Sequence, residues 1–127
     1  MDDSSATVNE LKCIVQEFCE ARDWDQFHNP KDLAIGIATE ASELLEIFRF
    51  KNDDESTQLM KDPKKRQMIC EELSDTLYFI LRFAQMNDID LYTELKKKVE
   101  INDEKYPVEK TKGSNKKYNE YQSEGIQ

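Results

Sequence analysis

The sequence predicts an all-α fold, an antiparallel four-helix bundle, and three observations carry that expectation. Apolar residues recur at three- and four-residue spacing in four separate stretches, and no stretch alternates as a strand would. Only three glycines and three prolines interrupt 127 residues. The prolines stand where helices start or stop: Pro30 and Pro63 at starts, Pro107 at a stop.

The first helix is expected over about residues 6–23, with Val8, Leu11, Ile14, Val15 and Phe18 on one face. It gives way to an aromatic-rich connector, RDWDQFHNP. Asn29 followed by Pro30 is an N-cap with proline at the first helical position, so helix two runs from there to about Phe50. KNDDESTQLMKDP is polar and reads as a loop with at most one helical turn. Helix three runs from Pro63 to about Met86. Asp88 or Asp90 then caps a fourth helix, LYTELKKKVEINDEKY, which Pro107 ends. One domain over residues 1–107 and a polar tail over 108–127 follow, the tail ordering only against a partner.

Composition narrows the function classes. A net charge of −9 argues against a nucleic-acid binder, which needs a basic face to displace phosphate counterions. It leaves room for a nucleotide bridged to acids by a divalent cation. No apolar run is long enough to span a membrane, and the acidic, polar start MDDSSATVNE is unlike a secretory leader. Three cysteines inside apolar-periodic stretches, without metal-ligand spacing, read as reduced thiols of a cytoplasmic protein.

Helix two carries an anomaly. Glu40 and Glu43 fall on the stripe of Leu33, Ile37, Leu44 and Ile47, where carbon should be buried. Helix three repeats it with Glu72 and Asp75, in line with Met68, Phe79 and Phe83. Two helices joined by a short connection pack antiparallel along such stripes, which draws the four acids together. Like charges out of water need compensation. Protons, a basic side chain or a cation would serve, and neither stripe carries a lysine or arginine near the acids. An all-oxygen set suits Mg²⁺ or Mn²⁺ and not zinc. Glu46 and Glu71 lie at the edges of their stripes. His28, the one histidine, reads as a structural hydrogen-bonding residue.

ExxE on one helix and ExxD on the next resembles the MazG-like, all-α nucleoside triphosphate pyrophosphohydrolases. RDWDQFHNPKDLAIGIATEASELLEIFRF, EELSDTLYFILR, KVEINDEKYP and GSNKKYNEY together resemble the dCTP pyrophosphatase branch. The resemblance implies that Glu40, Glu43, Glu72 and Asp75 hold Mg²⁺. It implies that Trp24 and Phe50 flank the base, and that Lys98, Asn102, Lys105 and Tyr106 lie near the phosphates. It further implies that Lys116, Lys117 and Tyr118 form a basic segment able to close over a bound nucleotide. Thr39 stands where the family's broader motif has an acid.

The expected reaction is water attack on the α-phosphorus of a dNTP, dCTP or a modified dCTP above all, releasing dNMP and pyrophosphate. Glu43, or Glu46 through a water, is the expected proton acceptor. The role would be nucleotide-pool house-cleaning. Apolar residues on two faces of helix three (Leu73, Leu77 and Ile80 against Phe79 and Phe83) predict self-association into a dimer or tetramer, the tetramer favoured by the resemblance. The competing reading is a non-catalytic, cation-binding helical interaction module. A carboxylate-bridged di-iron protein would need the histidine of an ExxH pair, which the acid pairs lack.

Overall fold

The structure, a computed structural model, describes residues 1–113; the sequence expectations for Lys116, Lys117 and Tyr118 lie outside the described residues. Every regular element among the described residues is helical: α1 (Val8–Glu20), a 3₁₀ turn (Asp25–Phe27), α2 (Pro30–Phe48), α3 (Asp53–Leu59), α4 (Pro63–Met86), α5 (Leu91–Lys105) and α6 (Val108–Thr111). None is long and apolar enough to cross a membrane.

Local chemistry sets the starts. The Thr7 hydroxyl accepts from Glu10 N while the Glu10 carboxylate accepts from Thr7 N, a capping box that opens α1. Asn29 caps α2 through Asp32 N at 2.8 Å, with Pro30 at the first position. Asp62 does the same for α4 ahead of Pro63. The segment expected as a loop with one turn is instead the seven-residue α3. It lacks an apolar stripe but has a reciprocal Asn52/Glu55 cap and three acids in its first turn. Capping and the helix dipole outweigh periodicity there. The first turns of the polar tail likewise contain the short helix α6.

The chain divides into two compact units, residues 1–89 and 90–127. In the first, α4 packs against α2 and, less extensively, α1. Its buried side chains include Val15 and Cys19 from α1, Leu33 from α2, and Ile69, Leu81 and Ala84 from α4. The α2/α4 pair runs antiparallel: His28, just before α2, meets Arg82, Gly36 faces Phe79, and Glu40 faces Glu72. The second unit carries α5, whose side chains from Tyr92 to Glu104 are exposed. α5 bears the basic residues Lys96, Lys97 and Lys98.

Candidate functional site

Where α2 and α4 cross, Glu40, Glu43 and Glu72 each bring a carboxylate oxygen within 4.8 Å of the others. Glu40 and Glu72 are partly buried and Glu43 is exposed. Glu40 Oε2 and Glu72 Oε2 are shut off from solvent with no hydrogen-bond partner. None of the three is ion-paired to a lysine or arginine among the described residues. Removal from water pushes Glu40 up to about 7 from an ordinary 4.5, aided by Glu43 and then by the charges of Asp75 and Glu72. Glu72 is raised for the same first reason, with Glu43 and Asp75 adding to it. Two orphaned oxygens in an all-carboxylate cluster fit a hard divalent cation.

The raised acid has a sign. Between 4.5 and about 7 the folded chain holds a proton on Glu40 that the unfolded chain releases. Its contribution to stability is therefore complete below 4.5 and lost as pH rises through about 7. Thermal melts in EDTA are expected to show a lower midpoint at pH 8 than at pH 6, and added Mg²⁺ to raise the midpoint more at pH 8. An Mg²⁺ response equal at both pH values would contradict this picture of the cluster.

Beside the acids lies a cavity of about 480 Å³ that Glu40 and Asp75 also line. That is room for a small-molecule ring system. Its walls are aromatic, Phe18, Trp24, Tyr78 and Phe79, with His28 among them. The rings meet edge to face: Phe18 with Trp24 at 5.5 Å, Phe18 with Tyr78 at 6.1 Å, Tyr78 with Phe79 at 5.0 Å. Cys19 Sγ lies 3.0 Å from the Tyr78 hydroxyl and anchors that ring from behind. Gly36 makes the Phe79 position available, because a Cβ there would sit 2.6 Å from the ring.

The structure thus brings Glu40, Glu43 and Glu72 together, with Asp75 one turn along α4 on the shared cavity wall. Trp24 is in that wall, 37% exposed. Glu46 is not part of the cluster; its carboxylate pairs with Arg49 at 3.4 Å in the open. Phe50 does not line the cavity: it follows the end of α2 with φ 66°, 88% exposed, the Arg49 guanidinium 4.6 Å from its ring centre. Lys98 and Asn102 are exposed on α5, and Lys105 and Tyr106, at its end, are less so. Sequence reasoning assigned Phe18 to a core stripe and passed over Gly36, Tyr78 and Arg82. One signal was readable, an arginine inside the apolar run FILRF.

A sequence model of the MazG-like family matches residues 35–121. Over 112 residues, 88% of this chain, it is 36% identical to dCTP pyrophosphatase 1 of Rattus norvegicus, spanning 66% of that protein. The human dCTP pyrophosphatase 1 is 34% identical over 114 residues, 90% of this chain and 67% of the relative. The chain thus spans about two thirds of the length of these curated relatives. Among solved structures, a pyrophosphatase from Archaeoglobus fulgidus superposes with a TM-score of 0.75 at 32% identity, covering 84% of this chain and 98% of its own.

Proposed function

Since this chain belongs to the MazG-like family, we propose that it is a divalent-cation-dependent nucleoside triphosphate pyrophosphohydrolase acting on a dNTP, with dCTP or a modified dCTP preferred. One observation supports this above the others: Glu40 and Glu72, each with a buried oxygen that lacks a partner, cluster with Glu43 within 4.8 Å, and Glu40 also lines the aromatic cavity. Glu40, Glu43, Glu72 and Asp75 would hold Mg²⁺ or Mn²⁺. When bound, the cation neutralises triphosphate charge and acidifies an attacking water.

The chain's own groups do the rest. Trp24, Phe18 and Phe79 take the base between ring faces and edges, which places the triphosphate over the acids. Glu43, the exposed member of the cluster, takes the proton of the water that attacks the α-phosphorus. Glu46, held by Arg49, acts only through an intervening water. Lys98, Asn102 and Lys105 recur at three- and four-residue spacing on α5, a pattern suited to gripping the leaving pyrophosphate as point charges and an amide.

Self-association belongs to the same reading. Leu73 and Leu77 on α4 are 57% and 45% exposed, an apolar strip that a second copy would cover to complete a four-helix arrangement as a dimer or tetramer. Three unpaired thiols, Cys13, Cys19 and Cys70, suit the cytoplasm.

A panel of dNTPs and NTPs with Mg²⁺ tests the proposal. Pyrophosphate and a monophosphate are expected, dCTP or a modified dCTP turned over fastest, and EDTA is expected to abolish release. Orthophosphate as the released product would place cleavage elsewhere and overturn the reading.

A further inference from the structure

Arg82 is 1% exposed, the one buried charged residue among those described, and the reaction above gives it no task. It lies on α4 three and four residues after Phe79 and Tyr78, on the face that carries the cavity's rings. Its guanidinium has three partners: the Asp25 carboxylate, His28 Nδ1 at 3.0 Å and Gln85 Oε1 at 2.6 Å. Asp25 and His28 belong to the connector between α1 and α2, and Trp24 stands directly before them. The Trp24 and His28 rings meet edge to face at 6.3 Å, and both line the cavity.

A buried arginine is a poor stabiliser in itself, since desolvation offsets most of its pairing, and an apolar residue of like volume often serves as well. What the fork geometry supplies is direction: three donors aimed at three fixed acceptors. We infer that Arg82 is a positioning residue, which clamps the connector so that Trp24 stands as a wall of the cavity and His28 is held as a neutral ring with its proton on Nε2. The second part follows from the bond itself. Nδ1 accepts from Arg82 Nε, so the ring proton must sit on Nε2, and His28 offers the cavity a donor and not an acceptor. Burial and then the Arg82 charge lower the His28 pKa, against the pull of Asp25, in keeping with a neutral ring.

The chain contains one tryptophan and one histidine, and both sit in this network, so each is a reporter without labelling ambiguity. Arg82→Met in the full-length chain keeps the volume and removes the fork. Its helical circular dichroism is expected to match the parent, while Trp24 emission shifts red and becomes more open to acrylamide. Long-range ¹H–¹⁵N spectra of the parent are expected to show the Nε2–H tautomer, and those of Arg82→Met a tautomer-averaged ring. Arg82→Lys, a point charge without the fork, is expected to behave like Arg82→Met. In a dNTP assay, which rests on the proposed function, KM of Arg82→Met is expected to rise about tenfold, a loss of about 1.4 kcal/mol of binding, while kcat changes little because the acids are untouched.

Asp25→Asn, altered on a half-exposed partner, decides the matter should Arg82→Met fail to fold. It is expected to give the same Trp24 shift in part. Unchanged Trp24 emission and an unchanged His28 tautomer in a folded variant would reduce Arg82 to a core filler. These spectra need no substrate, so an absence of dNTP turnover in the parent would defeat the functional reading and leave this one standing.

Discussion

Glu40→Gln is expected to reduce turnover by at least about a hundredfold and, without added metal, to raise the melting temperature above pH 7. The two effects have one cause. A ligand carboxylate holding a catalytic cation is worth several kcal/mol to the transition state, and each 1.36 kcal/mol is a factor of ten in rate. Without added metal the same carboxylate repels Glu43, Glu72 and Asp75 and leaves an oxygen unpartnered. The amide removes the repulsion and can donate to the orphaned Glu72 Oε2. The fall in stability between pH 6 and pH 8 should vanish in the variant, together with most of its response to Mg²⁺. Melts in EDTA and in Mg²⁺ at both pH values, beside a pyrophosphate assay, check all of this. A variant that melts lower than the parent at pH 8 in EDTA would show that the acids are not in conflict.

The second large effect is expected at Gly36. A methyl group there would lie 2.6 Å from Cδ1 and Cε1 of Phe79 and 2.8 Å from Cγ. Because Cγ is the root of the ring, rotation cannot relieve the overlap, and Tyr78 packs edge-on to Phe79 at 5.0 Å. Alanine gains about 1 kcal/mol of helix propensity over glycine, while overpacking costs about 1–3 kcal/mol. Overpacking wins: Gly36→Ala should lose about 1 kcal/mol net and Gly36→Val about 3 kcal/mol, with Phe79 displaced and nucleotide affinity reduced. A double-mutant cycle with Phe79→Leu measures the clash directly. The shorter side chain should restore most of the loss, and additive losses would rule the clash out as the cause.

Much of this was legible in the residue order, for reasons that differ by element. α2 and α4 were readable to within two residues because Asn29–Pro30 and Asp62–Pro63 fix their starts chemically. The acids were readable because an i, i+3 pair on an apolar stripe is a conflict visible in one dimension, and its repetition implied a meeting in three. α3 was underestimated because its stability comes from reciprocal capping and charge at its first turn, not from a stripe. The cavity escaped notice because periodicity says which residues avoid water, not which of them fail to meet. Ile14 and Phe18 remain 62% and 42% exposed on the face that was expected to close the core. Arg82 escaped because two of its three partners lie 54 and 57 residues away.

Phe50 follows the end of α2 in a conformation its side chain does not favour. A left-handed backbone with φ of 66° suits glycine and costs a side-chain-bearing residue about 1–2 kcal/mol. Its ring recovers little of that among the described residues, being 88% exposed with the Arg49 guanidinium laid across it. Backbone and solvent both argue against an aromatic residue there. The position is thus frustrated within the monomer, a local mismatch of sequence and conformation that contact with another molecule would relieve.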